Sequence, residues 1–307
     1  MIKLEEFLCP TQKQLFKRLC KKFKGKTTVS KDNFILVHGV APVMLVAHLD
    51  TVHEEPVRQI CASEDGNILM SPQGIGGDDR CGVFALVKTY ALSPVKPWLL
   101  FTCDEEVGGV GAENFCLAYE QGQLPAELSA LKFLIEIDRR GATDAVFYDC
   151  ENPDFEAYIT GKGFVTAQGS FSDISVIAPT LDIAAVNLSS GYYNAHRLHE
   201  YIVRSELERT IQKVCEIVAE STREDVPRYE FDTRSYFSGD LRGYGEHFLW
   251  TDEAVIPADL PEEYHEIYEE LLAVYPADQL DEIRVMYGNQ ILWQLYRDEF
   301  GPPFFDR

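Results

Sequence analysis

The sequence predicts an α/β protein: a three-layer α/β/α sandwich around a mixed, largely parallel central sheet. Three observations lead there. Short continuous apolar runs at residues 43–47, 98–101, 131–137 and 184–188 read as strands buried on both faces. Helical patterns alternate with them, as crossover-connected parallel strands require. Polar residues with no role in an apolar core cluster just past the ends of these runs, where open α/β sheets bind their ligands.

Taken in order, residues 11–24 space Leu15, Leu19 and Phe23 four apart among lysines, an amphipathic opening helix. Residues 34–37 and 43–47 are strands separated by the turn-forming HGVAP, and the second ends in His48-Leu49-Asp50. Residues 57–70 read as two strands around the turn Glu64-Asp65-Gly66-Asn67. GIGGDDRCG then leads into the helical VFALVKTYAL. The run 98–101 stops at Asp104-Glu105-Glu106, followed by glycines and a helix over 112–121. Strands at 131–137, 144–148 and 184–188 come next, and SSGYYNAHRLHE leads to a long helix over 200–221 packed through Ile202, Leu207, Ile211, Val214, Cys215 and Val218.

From about residue 221 the composition becomes aromatic-rich and glycine-punctuated, so we divide the chain into a domain at 1–222 and an extension at 223–307. In the extension, LPEEYHEIYEELLAVY reads as a helix capped by Asp259, and a second helical segment spans 277–300. His247 and His265 read as surface or packing residues.

The 307 residues carry a formal net charge of −22, which argues against nucleic acid or an anionic membrane surface as partner. No apolar run approaches the roughly 18 residues of a membrane span, and the N-terminus has no apolar core of signal-peptide length. The eight cysteines are scattered without a CxxC spacing and read as reduced core thiols, so the expected location is cytoplasmic.

The strand-end residues carry the chemistry. An HxD such as His48/Asp50 is, alone, compatible with a hydrogen-bonded histidine beside a capping aspartate. One of Asp78 and Asp79 can cap the helix after GIGG, which leaves the other free. Glu105 and Glu106 repel each other unless a cation sits beside them. Asp138 ends another strand, and His196 lies on a loop after a strand. Convergence of all five positions on one sheet edge points to a shared metal site. Mixed histidine and carboxylate ligation suits zinc, with cobalt, manganese and nickel as alternatives.

HLDTV, GGDDRCG, DEEVGGVGA, EID and YNAHRLHE, in this order, resemble the co-catalytic dizinc exopeptidases: tripeptidase T, the carboxypeptidase and acetylornithine-deacetylase group, and related zinc aminopeptidases. The resemblance covers residues 35–220. It implies two divalent metal ions, with His48 and Asp138 on one, Glu106 and His196 on the other, and Asp78 bridging. It also implies a cis peptide bond between Asp78 and Asp79, Asp50 as support for His48, and Glu105 as general base. His196 rather than His199 matches the family histidine, which stands four residues before a glutamate, here Glu200. Tyr192, Tyr193 and Asn194 are candidates to contact substrate. Arg80 is read as an ion-pair partner of the aspartates or a contact for a substrate carboxylate. Only residues 139–195 separate Asp138 from His196, so the lid or dimerisation domain of those relatives is expected to be missing. The expected activity is metal-dependent hydrolysis of short peptides, aminopeptidase-like. The alternatives are deacylation of an N-acyl amino acid, or a non-catalytic metal-binding protein on a peptidase scaffold.

Overall fold

The computed structural model describes residues 2–231, except 31–32, 54, 149–151 and 170, together with stretches between 257 and 300. It divides into two compact units, Met1–Gly239 and Asp240–Arg307.

The first unit is built on an eight-stranded mixed sheet. Its strands are β1 (Thr27–Ser30), β2 (Phe34–Val37), β3 (Val43–His48), β6 (Trp98–Thr102), β7 (Phe133–Arg139), β8 (Asp144–Val146), β9 (Val165–Thr166) and β10 (Ala185–Ser189), in the order β1-β2-β6-β3-β7-β10-β8-β9. The central β6-β3-β7-β10 ladder is parallel, whereas β1, β2 and β8 enter antiparallel. A second, antiparallel sheet in the order β11-β12-β5-β4 joins β4 (Cys61–Ala62), β5 (Ile68–Met70), β11 (Tyr192–Tyr193) and β12 (Tyr201–Val203).

Alternation of side chains explains why the strands are apolar throughout. Leu45, Leu99 and Ile135 face one layer, containing α1 (Glu5–Leu8), α2 (Gln12–Lys22), α3 (Gly77–Leu92), α5 (Pro153–Thr160) and α7 (Arg204–Ser221). Val46, Leu100 and Leu134 face the other, containing α4 (Val110–Glu120) and α6 (Ile174–Leu181). Among the described residues no helix is long and apolar enough to cross a membrane. Cys9, Cys61, Cys81, Cys116 and Cys215 carry free thiols.

Several boundaries differ from the sequence reading. The helix expected over 200–221 begins at Arg204, because residues 201–203 pair with β5 as β12. The 57–70 region supplies only the short β4 and β5, and the strand expected at 144–148 ends at Val146. Helix α5 had no strong periodicity; it is set by Asn152, whose Oδ1 accepts from the N–H groups of Asp154 and Phe155. Residues 223–231 belong to the first unit: Val226 and Tyr229 are buried in its core, and Tyr229 lies 5.1 Å from the Phe155 ring. Arg228 donates to the carbonyls of Ser129, Leu131, Leu181 and Asp182.

The second unit holds α8 (His265–Leu271) and α9 (Gln290–Phe300) around Leu260, Tyr264, Tyr268, Leu271 and Leu292. The His265 ring bonds the Leu260 carbonyl through Nε2 at 2.8 Å. Asp259 and His247 lie outside the described residues.

Candidate metal centre

The parallel strands deliver their last residues to one edge of the sheet. His48 ends β3 and is fully buried. Its Nδ1 lies 3.2 Å from Asp50 Oδ1, while its Nε2 lies 3.1 Å from Asp78 Oδ1, 3.6 Å from Asp138 Oδ1 and 4.0 Å from Glu105 Oε2. Asp50 also accepts the backbone N–H groups of Glu105 (3.2 Å) and Glu106 (3.0 Å). One carboxylate therefore orients the imidazole and anchors the turn that carries both glutamates.

That turn is tight. Asp104 has φ 59°, and the N–H groups of Gly108 and Gly109 both donate to the Glu105 carbonyl. Asp104 faces away from the cluster and accepts from Gln12 Nε2 at 2.7 Å.

Ahead of α3, the two aspartates take different environments. Asp79 is fully buried and spends both oxygens on backbone, accepting from His48 N (3.3 Å) and Gly82 N (2.8 Å). Asp78 is thereby the free one, and the peptide bond between them is cis. Glu200, also buried, accepts the N–H groups of Gly76 (2.8 Å) and Asp78 (3.0 Å) and lies 3.1 Å from His53 Nε2. A side chain at Gly77 would place its Cβ 2.6 Å from Tyr192 Cβ and 3.0 Å from Glu200 Oε1, so this loop can approach its partners only as glycine.

His196, with φ 61° and a half-exposed side chain, closes the group: its Nε2 lies 3.1 Å from Glu106 Oε2 and 3.3 Å from Asp78 Oδ2. His199 is exposed. Three sets of possible ligand atoms, each set within 4.8 Å, result: His48/Asp78/Asp138, His48/Glu105/Glu106 and Asp78/Glu106/His196. The first and third share Asp78.

The charges are unbalanced for a site without a cation. Burial pushes the Glu105 carboxyl up to about 7, with His48 opposing and Asp173 and Glu106 adding to the rise. Burial and the neighbouring Asp78 drive Asp138 well above the usual carboxylate range. Burial also opposes ionisation of Asp78, but hydrogen bonds from His196 and His48 hold its carboxyl low. Hydrogen bonds to Asp78 and Glu106 raise His196 to about 10. Oε1 of Glu106 is buried with no hydrogen-bond partner. An orphaned carboxylate oxygen among crowded acids and two imidazoles fits a divalent-ion donor set.

No protein-family model matches the sequence, and the search of curated proteins finds no relative. Solved structures do match. An aminopeptidase PepT from Bacillus cereus superposes with a TM-score of 0.54 at 15% identity, over 72% of this chain and 100% of that one. A Staphylococcus aureus tripeptidase gives 0.53 at 15%, over 72% and 97%. A TET aminopeptidase from a Thaumarchaeota archaeon gives 0.53 at 11%, over 76% and 99%. The chain shares its α/β fold with these peptidases.

Other expected site residues lie elsewhere. The Tyr193 hydroxyl donates to Glu206 at 2.6 Å and its ring stacks on Tyr201 at 5.0 Å. Asn194 is exposed, in the left-handed region at φ 58°. Tyr192, on the opposite face of β11, is the tyrosine that reaches the cluster, donating to Asp138 Oδ1 at 3.3 Å. Arg80 feels the charges of Asp50 and Asp79, as the sequence reading expects, but its hydrogen bonds go to backbone: Nη1 donates to the carbonyls of Phe7 (3.2 Å) and Pro10 (2.9 Å), fastening the N-terminal segment. Sequence reasoning gave no role to His53 and used Glu200 only as a spacing mark. The one available signal was a glutamate that a glycine-rich loop could reach.

Proposed function

We propose that the chain is a metal-dependent exopeptidase, aminopeptidase-like, acting on short peptides. The observation that carries this reading is the pair of ligand clusters joined through Asp78, with Glu105 alongside and 4.0 Å from His48. In this reading His48 and Asp138 would hold one ion and Glu106 and His196 the other, with Asp78 available to both, and zinc would be the favoured metal, with cobalt, manganese or nickel as alternatives. Two such ions, when bound, polarise the scissile carbonyl and make a water acidic enough to attack it.

The protein's own groups do the rest. Glu105, 4.0 Å from His48 at the edge of the cluster, accepts the proton of the attacking water and returns it to the leaving amine. Asp50 keeps the His48 ring in the orientation that presents Nε2 to the cluster and holds the Glu105–Glu106 turn in reach. A purely structural metal site needs no such base, which weighs against a retired scaffold. The scattered cysteines, without a CxxC spacing, support a cytoplasmic location.

The test is a panel of aminoacyl-anilides and N-acetyl amino acids, assayed with elemental analysis of the same preparation. Two transition-metal ions per chain and hydrolysis of free-amine substrates, abolished by chelation and restored by zinc, are expected. Turnover of N-acetyl amino acids alone would move the assignment to a deacylase; no bound metal after reconstitution would overturn it.

A further inference from the structure

The parallel ladder between β7 and β10 is interrupted at the cluster. Asn187 faces Glu136, but Ser189 faces Arg139 rather than Asp138, so β7 carries one extra residue there. Asp138 sits in this bulge. Its backbone N–H donates to Asn187 Oδ1 at 2.8 Å, and its carbonyl accepts from Asn187 Nδ2 at 3.2 Å. A carboxamide has the donor and acceptor of a peptide group, and here it takes the place of the ladder partner that the bulge removes.

The asparagine is itself held. It is fully buried, and its Nδ2 also donates to Ser172 Oγ at 3.1 Å. Ser172, just ahead of α6, donates in turn to the buried Glu136. A buried amide in the middle of an apolar strand is costly unless its bonds are made, and an aliphatic residue would pack there without that demand. Asn187 departs from the apolar pattern of β10 at the register position where Asp138 needs its backbone fixed.

We propose that Asn187 is the positioning residue for Asp138: its side chain replaces strand backbone at the bulge and sets the direction in which Asp138 reaches His48, 3.6 Å away. The inference rests on the metal reading above. Under that reading, loss of Asn187 loosens the ion held by His48 and Asp138 and spares the one held by Glu106 and His196.

The test is zinc binding to the full chain by chelator competition, with metal stoichiometry and melting of the metal-free protein measured alongside. For Asn187→Ala, one of the two affinities is expected to fall by ~10–100-fold, as is usual for a partner behind a ligand, while the other is unchanged. Ser172→Ala, which removes the acceptor of Asn187 Nδ2, is expected to weaken the same ion by less. Two ions bound by Asn187→Ala as tightly as by the wild type would overturn the proposal. So would equal weakening of both ions together with a lower melting temperature of the metal-free protein, which is the signature of a purely structural role. Should Asn187→Ala not fold, Ser172→Ala decides by the same criteria. A wild-type chain that binds no zinc refutes the metal reading itself and is distinguishable from all of these.

Discussion

Oε1 of Glu200 accepts the backbone N–H of Asp78 at 3.0 Å across 122 residues of sequence. The other oxygen of this carboxylate takes the Gly76 N–H and faces the His53 ring, so one buried side chain ties three segments together beneath the shared aspartate. Glu200→Gln retains the shape but leaves a single acceptor oxygen for three partners. We expect a loss of about 1–3 kcal/mol in urea unfolding of the metal-free protein, from a buried donor left unsatisfied. Unchanged stability would show that the clamp does not hold the loop.

Glu105→Gln removes the proton carrier without changing volume. Activity is expected to fall by ~10²–10⁴-fold, the usual contribution of a general acid–base group, with metal content intact. The paired measurement is kcat and elemental analysis of one preparation; retention of rate would assign the base elsewhere.

Metal loading should be pH-dependent. His196, raised to about 10, is protonated at neutral pH and must release that proton to ligate. The sign follows from linkage. A raised histidine pKa stabilises the metal-free fold fully below its unfolded value near 6.5, and that stabilisation is lost as pH rises through about 10. Glu105 behaves likewise between its unfolded value of 4.5 and about 7. Metal-free melting temperature should therefore decline and zinc affinity rise over these windows. Calorimetry in buffers of differing ionisation enthalpy should register proton release on binding.

Gly77→Ala tests the loop packing. The new Cβ would lie 2.6 Å from Tyr192 Cβ, a contact that only displacement of β11 or of the loop can relieve. A destabilisation of about 1–3 kcal/mol is expected from overpacking, with weaker metal binding because Asp78 follows directly. Denaturant midpoints and zinc titration measure both.

The polar edge of the sheet was readable before the fold because each motif ends an apolar run. A buried strand can be recognised by its continuous hydrophobic residues, and acids directly after one have nowhere to lie except the carboxyl edge. His48, Glu105, Glu106 and Asp138 follow from that logic. The separate tasks of Asp78 and Asp79 do not follow from that logic, since adjacent identical residues give no sign of which one the backbone will consume; only the family resemblance assigns Asp78 to the metal. The short strands β11 and β12 also escaped, since two or three residues carry no periodicity.

The sequence by itself determined the alternation of strands and helices, the residue types gathered at one sheet edge, and the order of the motifs. These depend on local pattern and on the chemistry of single side chains. Only the tertiary structure decided that Glu200 grips the Asp78 backbone, that Arg80 fastens the N-terminal segment, that Tyr192 rather than Tyr193 reaches Asp138, and that Asn187 fills the bulge in β7. Each of these is a hydrogen bond between residues distant in sequence or a choice between neighbouring side chains. Such contacts are set by strand register and loop path, which packing of the whole core fixes.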